Sequence, residues 1–186
     1  MIGSVAIRSA GAAGPLAAQV LAALALVFVP GAGVRAAEKT YRPDLAACAG
    51  FTAKDAAPFL GVPPERVVAK AEKVHAALWM CSFGAGTAGK QVAFSLEVAK
   101  DPKAAAAQME QYRADLETAA GTKPFKDKLP QGAWSEILGD GVGDENVWTD
   151  VNGSFTARKG NVTVQVTQPA DKLEKIKVGR AVLAKL

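Results

Sequence analysis

The sequence predicts an α+β fold: a single domain in which an antiparallel β-sheet of about five to six strands is backed by helices. Three observations carry this. Val92, Phe94, Leu96 and Val98 alternate with Gln91, Ala93, Ser95 and Glu97, and Val162, Val164 and Val166 alternate with Thr163, Gln165 and Thr167. That period of two belongs to strands buried on one face. Asp101-Pro102 opens a stretch in which Ala105, Met109, Tyr112 and Leu116 recur at helical spacing, the stripe of an amphipathic helix. Asn152-Gly153, between two strand-like runs, is a strong hairpin signal because both residues accept the positive φ of a type I′ turn.

Before the domain, residues 1–36 read as a secretory signal peptide. Arg8 precedes an apolar run from Pro15 to Pro30, no acidic residue occurs before Glu38, and Val34-Arg35-Ala36 offers a cut after Ala36. The run is short, broken by Gln19 and closed by Pro30-Gly31, which disfavours a spanning helix of about 20 residues. An uncleaved anchor is the alternative. Without residues 1–36, which hold Arg8 and Arg35, the balance of 22 basic and 18 acidic residues moves near neutrality. No clustered basic stripe with interleaved aromatics stands out, so nucleic acid is not an expected partner.

Residues 37–45 are expected to form an extended arm, and residues 46–186 the domain. The only cysteines, Cys48 and Cys81, fall in the exported part, where a disulfide is the default. A reactive or metal-binding thiol pair is the alternative, but there is no Cys-x-x-Cys spacing. Thr52 with Asp55 three residues on marks a helix start, and Gly61 its end. Strands follow weakly in "RVVAKAEKV" and clearly in "AALWMCSF", with Trp79, Cys81 and Phe83 on one face and Leu78 and Met80 on the other. "GAGTAGK" is a hairpin loop. The Asp101 helix should reach about Ala119, with Tyr112 and Met109 in the core and Gln108, Glu110, Arg113 and Glu117 solvated. "NVWTDV", "SFTARKG" and "NVTVQVTQ" give three further strands with one buried and one polar face. Asp171 opens a last helix, basic on one side, expected to dock through Leu173, Ile176, Leu183 and Leu186 and interrupted at Gly179. Its lysines could instead meet an anionic membrane surface.

Several chemistries lack their parts. His75 is the only histidine, so a zinc site would need both cysteines. A copper set of His75, Met80 and Cys81 has poor geometry, because neighbouring strand residues point to opposite faces. No Gly-x-Ser-x-Gly elbow or Ser-x-x-Lys pair occurs. Paired carboxylates need only be close in space, so a hydrolase using dispersed acids stays open. "GDGVGDENVW", Gly139 to Trp148, spells Gly-x-Gly-x-Gly with Asp144 where a dinucleotide fingerprint needs glycine or alanine. Its acids also oppose a phosphate. Asp140, Asp144 and Glu145 remain a candidate ligand or calcium loop, although a turn leading into the C-terminal hairpin is the simpler reading. No catalytic residue and no cofactor is implied. Exposure of Trp79, Trp134 and Trp148 on a concave face would favour ligand binding, and burial would mean core.

The order "C…FTAKDAAPFLG", "CSF" on a strand, an alanine-rich helix ending "YRADL", then "LGDGVGDENVW" and "GSFTARKGNVTVQV" before a terminal helix resembles the DUF3558-like exported proteins and their relatives of the Mog1/PsbP-like fold, over about residues 46–186. The resemblance implies a PsbP-like α+β domain, a Cys48–Cys81 disulfide and a cell-envelope location. It implies no reaction. This chain lacks the lipobox cysteine of the common lipoprotein form, so a soluble periplasmic or secreted product is expected. The expected function is a non-enzymatic module that binds an envelope protein or small ligand, with a carboxylate hydrolase or a calcium-dependent module as alternatives.

Overall fold

The computed structural model describes residues 39–86, 90–122 and 132–186. The expected signal peptide, the tip of the "GAGTAGK" loop and most of the segment before Trp134 lie outside them.

The first helix, α1 (Ala53–Leu60), starts at Thr52 and stops at Gly61, which takes the left-handed conformation, as the sequence predicts. Asp55 accepts hydrogen bonds from the Thr52 amide and hydroxyl, both at 2.8 Å, and pairs with Lys185 at 2.8 Å. Burial alone would raise the Asp55 carboxyl pKa. The bonds from Lys185 and from the Thr52 amide and hydroxyl outweigh it and hold the group below its ordinary value of 3.8. A depressed folded-state pKa stabilises above the unfolded value, and that stability disappears as pH falls through the folded one. We expect Asp55→Asn to cost about 1 kcal/mol at neutral pH and the gap to close in acid below 3.8. Urea titrations at several pH values would show this, and a gap independent of pH would refute it.

Six strands follow: β1 (Val68–His75), β2 (Leu78–Gly84), β3 (Gln91–Val98), β4 (Glu145–Thr149), β5 (Ser154–Lys159) and β6 (Val162–Gln168). They form one antiparallel sheet in the order β1-β2-β3-β6-β5-β4. Helix α2 (Pro102–Ala120) lies between β3 and β4 in sequence, and α3 (Lys172–Leu183) closes the chain. The fold is therefore α+β, as expected. Asp101 caps α2 by accepting the Ala104 amide at 2.7 Å, and Asp171 caps α3 by accepting the Glu174 amide at 2.9 Å.

The helices divide between the two faces. Helices α1 and α3 pack on the apolar side of β2, β3, β5 and β6, where Phe94, Leu96, Phe155, Val164, Val166, Ile176 and Val182 form the main core. Helix α2 packs on β4, β5 and β6, and there Met109 and Leu116 meet Val147 in a smaller cluster. The Cys48–Cys81 disulfide, with Cα atoms 5.9 Å apart, ties the 3-10 turn Cys48–Gly50 to β2. Beside it, the Phe51 ring meets those of Phe83 and Phe94 edge-on, with centroids 5.2 and 5.3 Å away.

Three expectations need correction. Asn152 and Gly153 do not form a two-residue type I′ turn. Thr149 pairs with Ser154, which leaves four loop residues, and of the Asn-Gly pair only Gly153 has positive φ. The Thr149 hydroxyl accepts the Val151 amide at 3.1 Å and donates to the Ala133 carbonyl at 2.7 Å, so a local side-chain bond opens the loop two residues early, both on the β4 side. Leu173 does not face the sheet but is 65% exposed, while Val178 and Val182 are fully buried. Gly179, read as an interruption, is where α3 comes closest to the sheet. A Cβ there would lie 2.5 Å from the Phe155 ring.

Candidate functional site

The α2 stripe is apolar, but the sheet face that receives it is not. Alternation places Ser154, Thr156 and Arg158 of β5, Thr163 and Gln165 of β6, and Ser95 and Glu97 of β3 on that face. Thr156 pairs with Gln165 and Gln165 with Ser95, while Thr163 pairs with Glu97. An apolar helix cannot fill the space above such a polar floor closely without stranding hydroxyls. A cleft of about 130 Å³ results, walled by Gln108, Met109 and Tyr112 of α2.

Within the cleft, one group of polar side chains is already organised. The Tyr112 hydroxyl lies 3.0 Å from the Ser154 hydroxyl, Gln165 Nε2 donates to Tyr112 Oη at 3.2 Å, and Ser154 donates to Asn152 Oδ1 at 2.6 Å. Gln108 Nε2 donates to Glu97 Oε1 at 3.0 Å at the mouth. Two floor hydroxyls are left out. Thr156 Oγ1 and Thr163 Oγ1 are buried without a hydrogen-bond partner, and Thr156 as a residue is only 4% exposed. Buried polar groups are nearly always satisfied, so orphaned hydroxyls beside a cavity suggest a missing partner.

Next to the cleft lies a charged network. Arg158, 1% exposed, donates to Glu145 Oε1 at 2.8 Å and to the Gly160 carbonyl at 2.8 Å, with Asp144 Oδ2 at 3.5 Å. Glu145 also accepts Arg113 Nη1 at 3.2 Å, and Arg113 lies 3.6 Å from Glu136. Arg113, expected to be solvated, instead bridges α2 to β4, with its guanidinium carbon 5.1 Å from the Trp134 ring. Tyr112 packs against the Met109 and Leu116 cluster, as its place on the stripe predicts, and also lines the cleft.

Of the candidate loop acids, Asp144 and Glu145 are thus both directed to Arg158. Asp144 Oδ2 also accepts the Gly160 amide at 2.6 Å. Among the described residues, no three His, Cys, Asp or Glu side chains come together as a metal site would require. Cys81 is in the disulfide, and His75 Nδ1 accepts the Ala77 amide at 3.3 Å. Trp148 is buried and donates to Asp150 at 3.0 Å, with the Lys172 ammonium 4.8 Å from its ring. It belongs to the core. Lys175 is buried against the same ring and donates to the Gly153 carbonyl. Burial pushes the pKa of its ammonium down. No helix among the described residues is long and apolar enough to cross a membrane.

In comparisons with protein-family models, curated proteins and solved structures, nothing matched this chain. Sequence reasoning missed the cleft because it weighed each element alone. Its signal lay in the combination of an apolar helical stripe containing a tyrosine with three strands whose α2-facing positions are almost all polar.

Proposed function

We propose that this chain is an exported, non-enzymatic binding module, and that the cleft beneath α2 takes a small uncharged polar molecule of the envelope, with hydroxyl or amide groups that pair with the floor. The observation that carries this is the buried Thr156 hydroxyl, which has no partner and lines a cavity whose other polar groups are Thr163, Ser95, Gln165, Tyr112 and, at the mouth, the Gln108–Glu97 pair. Export is supported by the leader-like composition of residues 1–36 and by the disulfide, which persists in oxidising compartments. The hydrolase alternative calls for two carboxylates across a cleft, and this one is lined by Glu97 alone, which is bound by Gln108.

Thr156→Val tests the reading in two ways. In the ligand-free protein it removes an unsatisfied hydroxyl and keeps the shape, so stability should rise by about 1 kcal/mol. The same variant should lose the heat of binding that wild type shows, in calorimetry, for at least one member of a panel of glycerol, hexoses and short amides. A destabilised Thr156→Val protein, or no heat from wild type across the panel, would remove the cleft as a ligand site. Recovery of a cross-linked envelope protein instead, through residues outside the cleft, would point to the partner-protein function.

A further inference from the structure

A second pocket, of about 250 Å³, lies at the C-terminal end of α3, away from the α2 cleft. It is lined by Gly141, Gly143, Asp144, Lys159, Arg180 and Leu183. We propose that it binds a phosphate group, either of a soluble phosphate monoester or of a lipid headgroup.

The first argument is charge. Neither Lys159 nor Arg180 forms an ion pair with a carboxylate among the described residues, yet both line this one pocket. The Lys159 ammonium donates to the Leu183 carbonyl at 2.9 Å and lies 5.3 Å from the Tyr41 ring, contacts that hold the group in place without a carboxylate to neutralise it. Arg180 Nε is buried with no acceptor. A guanidinium presents donors in a fixed fork that suits phosphate. Two cations without a carboxylate partner among the described residues also match the charge of a phosphate monoester, which is close to a dianion at neutral pH.

The second argument is shape. Gly139, Gly141 and Gly143 all have positive φ, at 119°, 75° and 87°; the first two pass against Arg180, and Gly143 against the Arg158 carbonyl. A Cβ on Gly139 would lie 3.4 Å from Arg180 Nη2, and one on Gly141 3.8 Å from its Cγ. The glycines therefore keep the wall beside the guanidinium free of side chains. The acidic residue of this loop that lines the pocket does not oppose an anion in it. The Asp144 carboxylate is already engaged by the Gly160 amide at 2.6 Å and lies 3.5 Å from Arg158, so its charge is compensated from the side of the sheet.

The test uses the full chain. Inorganic phosphate and glycerol 3-phosphate are titrated by calorimetry at constant ionic strength against chloride and acetate. Cosedimentation with phosphatidylcholine vesicles, with and without phosphatidic acid, forms the lipid arm. Wild type should bind phosphate in at least one arm, Arg180→Gln should weaken binding at least tenfold, and Arg180→Lys should weaken it less. Thr156→Val should leave it unchanged, so the outcome does not depend on the α2 cleft. Binding in solution assigns a soluble phosphate, and binding to phosphatidic acid vesicles alone assigns a lipid. Amide NMR of wild type, which needs no variant, should show Gly141 and Gly143 shifting during the phosphate titration. Absence of binding in both arms, equal affinity for acetate, undiminished binding by Arg180→Gln, or unmoved glycine amides would each overturn the proposal.

Discussion

Reducing the Cys48–Cys81 bond should lower the unfolding free energy by about 3.5 to 4 kcal/mol, because the bridge closes a loop spanning 33 positions and a chain of that length regains its closure entropy when the link is cut. The native side adds to the effect. Cys48 and Ala49 both have positive φ, at 51° and 55°, a conformation that costs residues with a Cβ about 1 kcal/mol or more each. Backbone bonds from Ala49 to Asp44 at 2.8 Å and from Gly50 to Ala47 at 2.9 Å hold this left-handed turn, and the bridge fixes it to the buried side of β2. Once the bridge is cut, the turn can relax and Phe51 loses its anchor against Phe83 and Phe94. Thermal melts with and without a reductant should differ by roughly 8 to 15 °C. A difference of only a degree or two would mean that the turn is held without the bond.

Arg158→Met should be nearly as damaging, at about 3 kcal/mol. Arg158 is almost fully buried, and removing one member of a buried charge pair leaves the other charge desolvated and unpaired, which typically costs about 3 to 5 kcal/mol. The lower end applies because Glu145 keeps Arg113 at 3.2 Å and Asp144 keeps the Gly160 amide. Glu145→Gln, which retains a hydrogen-bond acceptor for the guanidinium, should cost less than Arg158→Met. Urea unfolding of both variants measures the order. If Glu145→Gln proved the more costly, the network would be centred on Arg113 and α2 instead of on Arg158.

The parts of the fold legible in the sequence were those governed by local rules. Strands β3 and β6 follow their alternation, α1 and α2 begin at their capping residues, and the two cysteines had only each other to pair with. Errors arose where tertiary packing decided. The apolar residues of α3 can meet a sheet along more than one stripe, and the choice went to Val178 and Val182 because Gly179 allows the helix to approach Phe155. Leu173 was left in solvent as a result. Arg113 looked like a surface charge because its partner on β4, Glu145, is distant in sequence. The α2 cleft was illegible for a similar reason, since neither the helix nor any strand shows it alone. The glycine-rich segment was readable as a turn, whereas the positions of Lys159 and Arg180 around it depend on how α3 and β5 are placed.

The two borders of the sheet are not alike. Along β4, Ser135 and Trp148 exchange backbone bonds at 2.9 and 2.8 Å, and Asn146 grips both the amide and the carbonyl of Ile137, so this border is largely occupied by the chain itself. Along β1, the strand pairs with β2 alone among the described residues, and Lys70 and Lys73 provide the charges that discourage edge-to-edge association. Among the described residues, β1 is therefore the border open to a strand from another molecule. Two copies joined through β1 would close around a two-fold axis and leave no free border for a third, so self-association along this route ends at a pair and does not propagate into a filament.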